Sequence, residues 1–153
     1  MRNGSARVRH YFDLCGRGEV APILDLYAED AIFFDCGVGP DTFVGREEIG
    51  RAVFEPLFVG LPDFSVTTIH MDGDDRRVLA EVILKGTHRG VFYGLPPTGR
   101  RLEWHSAGVW EMDAEGLFTR EAYFYDSANL TAQLTGDEEP TMSDRTGALS
   151  RGR

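Results

Sequence analysis

The chain has 153 residues, of which 42% are hydrophobic and 27% are charged, as expected for one globular domain with its own core. No apolar run reaches the roughly 18 residues that would cross a bilayer, so no membrane is expected as a partner. Sixteen Lys and Arg against 25 Asp and Glu give a net charge near -9, which argues against a nucleic-acid partner because a phosphate backbone would be repelled.

The first predicted elements are helices. Between Ala6 and Tyr27, apolar residues recur at helical spacing twice, and Gly16 and Gly18 separate the two patterns. We therefore predict a helix, a tight corner and a second helix. The apolar run in EDAIFFDCG predicts a short strand, and FVGREEIGRAVFEPLF predicts a further helix that Pro56 should end or kink.

The pattern then changes to strands. Apolar residues alternate with polar ones in residues 64–70 and 78–84, and two more strand-like runs, RLEWHSAGVWEM and LFTREAYFYD, are joined by DAEG, which suits a hairpin loop. Helices followed by an antiparallel sheet indicate an α+β domain over residues 1–134. Residues 135–153 carry few large apolar side chains and are predicted to be a disordered tail.

A stiff corner is predicted between the two central strands. Pro96 and Pro97 each fix φ, and Gly99 permits an unusual turn. We interpret this PPTG segment as the point where the sheet reverses, with a structural role more than a chemical one.

One face of the strand in residues 102–112 suggests a ligand wall. Trp104 and Trp110 flank Ser106 and Gly108 on this face, so a notch of the size of the missing side chains is expected between two indoles. Gly108 is also consistent with a bulge or a strong bend.

Several titratable residues are candidates by type and position. Asp35 follows an apolar strand, where desolvation would favour a general base, although a carboxylate at a strand end can also be solvated or cap a helix. His88 and His105 are candidate proton carriers that could equally be packing residues. The last strand places Glu121, Tyr123 and Tyr125 on one face, and periodicity does not decide which face meets a pocket.

Cysteine usage and the N-terminus set further expectations. Cys15 and Cys36 are too few for a disulfide framework and match no structural zinc spacing, so buried free thiols are predicted. The stretch MRNGSARVRHYF lacks the apolar segment of a secretory signal, which makes a cytoplasmic location the expectation.

Specific segments resemble a known family. GTHRGVFYGLPPTGRR, GLPDF and YDSANLTAQL are similar to the SnoaL-like polyketide cyclases of the nuclear transport factor two-like superfamily, over about residues 8–134. The resemblance implies a cone-shaped roll in which a curved antiparallel or mixed sheet wraps around the N-terminal helices and encloses one pocket. It also implies a homodimer through the outer face of the sheet.

The resemblance implies a function and also a departure from it. Similar cyclases act without metal or organic cofactor on a small hydrophobic, polyketide- or polyene-like intermediate of antibiotic biosynthesis, and close a ring by aldol chemistry with a His and an Asp. Alignment puts Gly108 at the His position and Tyr123 at the Asp position. Both catalytic residues of the family are therefore replaced in this chain.

Two mechanisms remain open for such a cyclase. Tyr123, assisted by Asp35 or Glu121, could supply a hydrogen bond or a proton to an oxyanion. Alternatively, the pocket could accelerate closure by folding the substrate alone. The residues expected to contact substrate in either case are Phe33, His88, Trp104, His105, Ser106, Gly108, Trp110, Tyr125 and Asp126.

Two other functions are compatible with the sequence. An epoxide hydrolase or hydratase of the same fold would need an Asp-Arg-Asp arrangement, for which Asp35, Arg120 and Asp126 are the candidates. A dimeric module that binds a small molecule without converting it would also lack the family's acid and base.

Overall fold

The computed structural model describes residues 3–37 and 42–137. The sheet contains six strands, and helices precede it, interrupt it and follow it. The elements are α1 (Gly4–Arg17), α2 (Val20–Leu24), β1 (Tyr27–Asp35), β2 (Thr42–Val44), α3 (Arg46–Ile49), a π-helical turn (Gly50–Phe54), α4 (Glu55–Gly60), β3 (Ser65–Gly73), β4 (Arg77–Thr87), β5 (Arg101–Met112), β6 (Phe118–Tyr125) and α5 (Ser127–Thr135).

The two N-terminal helices form as predicted. The side chain of Asn3 accepts the N–H of Ala6 and begins α1, and Gly18 ends it in a left-handed conformation with φ +67°. The apolar face of α1 packs into the core. The sequence pattern placed Tyr27 in the second helix, and this assignment was wrong. Tyr27 is the first residue of β1.

The third helical region continues past Pro56, where it was predicted to end or kink, as far as Gly60. A π-helical turn, Gly50–Phe54, separates α3 from α4, and Pro56 lies in the first turn of α4, where its missing N–H is least costly. Phe43 was predicted to lie in this helix. It belongs to β2, where it pairs with Phe33 of β1.

The strands form a curved, open sheet in the order β2-β1-β6-β5-β4-β3. All neighbours are antiparallel except β1 and β6, which run parallel. The predicted α+β roll around N-terminal helices is therefore confirmed. The register places Tyr123 opposite Gly108 on one side and beside Asp35 on the other, and it pairs Tyr125 with Ser106.

The connection from β4 to β5 folds back over α4. His88 and Arg100 continue the strand pairing, and the N–H of Gly99 bonds to the carbonyl of His88. Gly99 has φ +73°, the conformation for which glycine was expected there. The N–H groups of Arg89 and Gly90 both bond to the carbonyl of Gly60. The PPTG segment thus reverses the chain between two antiparallel strands.

A final helix, α5, closes the described chain. The carboxylate of Asp126 accepts the N–H of Asn129 and begins the helix. The amide of Gln133 bonds to both backbone groups of Glu103, which fixes α5 against β5. The predicted tail overlaps this helix at Thr135, and residues 138–153 lie outside the described residues.

Within the described ranges, no helix is both long and apolar enough to cross a membrane.

Candidate functional site

A cavity of about 400 Å³ lies between the inner face of the sheet, α1, α4 and the β4–β5 connection. This is a size typical of small-molecule sites. Its wall is mostly apolar and aromatic, with a few polar groups. The lining residues are Tyr11, Cys15, Phe33, Asp35, Phe43, Ala52, Val53, Phe54, Pro56, Leu57, Phe64, Val66, Leu84, Val91, Phe92, Tyr93, Gly94, Trp104, Ser106, Tyr123 and Tyr125.

The cavity wall carries a cluster of one carboxylate and two phenols, which we call the wall cluster: Asp35, Tyr93 and Tyr125. The Tyr125 hydroxyl donates to Asp35 Oδ1 at 2.7 Å, and the Tyr93 hydroxyl lies 3.5 Å from Asp35 Oδ2. The two phenol oxygens are 3.2 Å apart. All three side chains are half-buried, so the cluster is shielded from bulk water without being sealed.

The fold brings the wall cluster together from three distant segments. Asp35 ends β1 and Tyr125 ends β6, two strands that run parallel and side by side. Gly37 makes room for the contact, since a Cβ built there would lie only 1.6 Å from the Tyr125 hydroxyl. Tyr93 reaches the cluster with φ +47°, an unusual conformation for a residue other than glycine and a kind of strain often found at functional sites.

The environment keeps both phenols protonated. Burial raises the pKa of Tyr93 above its ordinary value, and the nearby Asp35 carboxylate raises it further. Burial is also the main cause that raises the pKa of Tyr125, and the neighbouring Tyr93 and Asp35 side chains raise it further. Both hydroxyls therefore remain hydrogen-bond donors at neutral pH.

A second carboxylate lies behind the cavity wall, in what we call the buried cluster: Glu121, Tyr11 and Tyr27. Glu121 is fully buried. The Tyr11 hydroxyl donates to its Oε1 at 2.8 Å, and the Tyr27 hydroxyl contacts its Oε2. Burial raises the pKa of Glu121 to about 7, although the hydrogen bonds from the surrounding phenols oppose the rise. Glu121 does not line the cavity, so the predicted assistance of Glu121 to Tyr123 would act from behind the wall and stays a prediction.

Tyr123 lies between the two clusters and lines the cavity, which decides the face of the last strand that periodicity left open. Its ring packs edge-on against Trp110 and tilted against Phe33. Burial and the charge of Glu121 raise its pKa well above the ordinary value. It is therefore a neutral phenol and not a base.

The predicted notch at Gly108 is filled. A Cβ built on Gly108 would lie 2.4 Å from the ring of Trp110, which folds back over the glycine. Neither Gly108 nor Trp110 lines the cavity, because the indole occupies the space that the missing side chain leaves. The structure therefore places Gly108 and Trp110 outside the cavity wall, whereas Trp104, Ser106 and Phe33 line it.

Three other predicted site residues also lie elsewhere. His105 is exposed on the outer face of the sheet and pairs with Glu81 at 2.8 Å, because odd positions of β5 point away from the cavity. His88 is fully buried, and its Nδ1 lies 3.0 Å from the Thr98 hydroxyl. Asp126 is exposed and caps α5.

The arrangement proposed for an epoxide hydrolase is not assembled. Of its three candidates only Asp35 lines the cavity. Arg120 and Asp126 do not, since Arg120 alternates with the inward-facing Glu121 and Asp126 is engaged at the start of α5.

Sequence reasoning missed the contribution of the β4–β5 connection and of α1. Val91, Phe92 and Tyr93 line the cavity from a segment that has no strand or helix period. Two large aromatic side chains next to a rigid turn are the one signal that could have indicated them. Tyr11 and Cys15 belong to the apolar helical pattern of the first predicted helix, and helical spacing does not distinguish a core from a cavity wall.

The two cysteine thiols differ in burial. Cys15 is buried, as predicted, but Cys36 is only half-buried and its sulfur accepts the N–H of Tyr125 at 3.3 Å. In residues 3–37 and 42–137, no group of three His, Cys, Asp or Glu side chains is placed to hold a metal ion.

Sequence comparison identifies the family. The SnoaL-like domain profile matches residues 8–121, which is most of the described chain. The chain belongs to the SnoaL-like domain family. No curated protein matches its sequence significantly.

Solved structures of SnoaL-like and related proteins share this fold at low identity. AclR from Streptomyces galilaeus, described as a candidate hydroxylase, superposes with a TM-score of 0.79 at 16% identity, covering 97% of this chain and 90% of its own. A SnoaL-like candidate polyketide cyclase from Jannaschia sp. CCS1 gives 0.75 at 18% identity, covering 90% and 93%. IdmH from Streptomyces antibioticus, a candidate polyketide cyclase, gives 0.71 at 23% identity, covering 86% and 98%. At these identities the similarity establishes the fold and not the reaction.

Proposed function

We propose that this SnoaL-like protein is a cofactor-independent cyclase or isomerase that acts on a small, mostly apolar ketone of the polyketide or polyene type. The observation that carries the proposal is the wall cluster, a carboxylate with two neutral phenols in an otherwise apolar cavity. Family membership and fold neighbours described as candidate polyketide cyclases support the same class of chemistry.

Asp35 is the proposed general base. It takes a proton from the carbon next to a substrate carbonyl, and the released electron pair forms an enolate. Protonation neutralises Asp35, so the hydroxyls of Tyr125 and Tyr93 lose an anionic partner and become free to donate to the enolate oxygen. Charge thus moves from one oxygen to another within reach of the same donors.

Ring closure completes the proposed reaction. The enolate carbon attacks a second carbonyl of the same chain, a carbon–carbon bond forms, and the electron pair of that carbonyl moves to its oxygen. This alkoxide takes the proton back from Asp35, so the product is an isomer of the substrate. The aromatic wall, with Phe33 and Trp104, would hold the flexible chain in the folded form that this step needs.

The test uses 2-tetralone, a bicyclic ketone whose α-protons exchange with D₂O when they are abstracted. We expect the protein to accelerate this exchange, followed by NMR, and Asp35→Asn to slow the catalysed rate by about 100-fold or more. Asp30→Asn is the matched control, because Asp30 is an exposed carboxylate of the same strand and does not line the cavity. Binding of 2-tetralone without exchange would instead identify a non-catalytic binding module, and equal rates in Asp35→Asn and the parent would remove Asp35 as the base.

We also propose that the protein is a homodimer through the outer face of the sheet. That face exposes large apolar side chains on several strands, among them Leu79 of β4 and Phe124 of β6, which are 53% and 46% exposed. Sedimentation equilibrium should give twice the chain mass, and Leu79→Asp should give the single chain mass. A monomeric parent protein would contradict the proposal.

A further inference from the structure

The buried cluster sits directly behind the cavity wall. Glu121 and Tyr123 are successive inward-facing residues of β6. The Glu121 carboxylate therefore lies next to a residue that lines the cavity. Two phenols from different elements converge on it, Tyr11 from α1 and Tyr27 from β1. A fully buried carboxylate in this position is close enough to the cavity to influence what binds there.

We propose that Glu121 is a positioning residue, which acts on the ligand through Tyr11. As a carboxylate it holds the Tyr11 hydroxyl hydrogen, and as a neutral acid it releases that hydrogen for an oxygen atom of the ligand. The inference rests on the proposed function, because it concerns the same cavity, and it names the preferred ligand as an oxyanion such as an enolate.

Among the residues that the structure describes, the surroundings of Glu121 offer phenols and a thiol but no cation. The groups that face it are Tyr11 and Cys15 from α1, Tyr27 from β1, Trp110 from β5 and Tyr123 from β6. None of the salt bridges in the described chain involves Glu121. An ionised Glu121 therefore places an uncompensated negative charge behind the wall, which disfavours an anionic ligand in the cavity.

Tyr11 and Tyr27 differ in one respect that makes the idea testable. Both bond to Glu121, but Tyr11 also lines the cavity and Tyr27 does not. Tyr11 can therefore transmit the state of Glu121 to a ligand, whereas Tyr27 can only stabilise the carboxylate.

Protonation of Glu121 changes both its hydrogen bond with Tyr11 and the charge behind the wall, and both changes favour an anionic ligand. A carboxylic acid accepts a hydrogen bond more weakly than a carboxylate, so the Tyr11 hydrogen is released more easily. The negative charge behind the wall is removed at the same time. Because burial brings the pKa of Glu121 to about 7, this change falls in the neutral range, and oxyanion binding should weaken as pH rises through it.

The experiment compares 2-naphthoate, an anion at every pH used, with the neutral 2-naphthamide by calorimetry from pH 6 to pH 9. We expect the Kd of 2-naphthoate to rise about tenfold over this range, the loss of one charge-assisted hydrogen bond, while that of 2-naphthamide stays constant. Glu121→Gln should remove the pH dependence for 2-naphthoate.

Two phenol variants separate positioning from a structural role. Tyr11→Phe should bind 2-naphthoate at pH 6 several-fold more weakly than the parent and lose most of the pH dependence. Tyr27→Phe should keep the full change in the Kd of 2-naphthoate between pH 6 and pH 9. The midpoint of that change should move to higher pH, because a hydrogen bond that lowers the pKa of Glu121 is lost. These variants also test the idea if Glu121→Gln does not fold.

Four results would overturn the inference: no pH dependence in the parent protein, the same dependence in Glu121→Gln, equal effects of the two phenol variants, or no binding of either probe. The last would also count against the cavity as a site for bicyclic aromatic ligands of this kind. Loss of the 2-tetralone exchange alone would contradict the proposed reaction and leave this binding result unaffected.

Discussion

The wall cluster and the buried cluster are built from the same parts, one carboxylate and two phenols, and lie on neighbouring strands. Asp35 is half-buried and faces a cavity, whereas Glu121 is fully buried and faces only protein. Burial raises the pKa of Glu121 to about 7. In the proposed function, access to the cavity and not residue type assigns one carboxylate to act on a ligand and the other to hold a proton behind the wall.

The largest expected effect is on the pH dependence of stability. The pKa of Glu121 rises from 4.5 to about 7 on folding, so the native state holds a proton that the unfolded chain releases in this range. The free energy of unfolding should fall as pH rises from 4.5 to about 7 and then level off, by about 3 kcal/mol in total. Urea denaturation of the parent and of Glu121→Gln across this range measures it. Parallel stability profiles would show that Glu121 does not carry a shifted proton.

The next effect concerns the wall cluster alone. Tyr125→Phe removes the shorter of the two phenol contacts to Asp35 and, in the proposed reaction, a donor to the enolate. We expect the 2-tetralone exchange rate to fall by about 100-fold, as for the loss of one oxyanion donor. At pH 6, where Glu121 is mostly protonated with or without Tyr27, Tyr27→Phe removes a phenol of the buried cluster and should leave that rate within about threefold, which corresponds to less than 1 kcal/mol. If both variants lose the same activity, the two clusters are not functionally distinct.

A smaller effect is expected where Trp110 folds back over Gly108. Gly108→Ala forces the indole to move, because the added Cβ would lie 2.4 Å from it. Overpacking of this kind should lower the free energy of unfolding by about 2 kcal/mol. Ala107→Ser changes the adjacent, exposed position of β5 and should cost less than about 0.5 kcal/mol. An unchanged stability of Gly108→Ala would show that Trp110 does not fill this space.

The smallest effect should come from Tyr93. Its hydroxyl lies 3.5 Å from Asp35, at the limit of a hydrogen bond. Tyr93→Phe should therefore slow the 2-tetralone exchange only about threefold, the value of a weak hydrogen bond. A loss as large as that of Tyr125→Phe would mean that Tyr93 moves closer when a ligand binds.

The sequence predicted the fold better than the site. Strand and helix periods identified most elements, and the alternation along β5 correctly put Trp104 and Ser106 on one face. The same alternation puts His105 on the opposite face, and so could have excluded it from the cavity. Asp35 and Tyr125 are 90 residues apart in the sequence, and their contact depends on the parallel pairing of β1 with β6. No local sequence period indicates such a pairing. The filling of Gly108 by Trp110 depends on a side-chain rotamer and is equally invisible in a sequence pattern.

The central claim is that an oxygen atom of a cavity ligand meets the wall cluster. A crystal structure with 2-naphthol, a stable analogue of the 2-tetralone enol, tests it most directly. We predict that the naphthol rings lie between Phe33 and Trp104, with the oxygen about 3 Å from Tyr125 or Asp35. A naphthol bound outside the cavity, or inside it with its oxygen turned away from both residues, would contradict the claim.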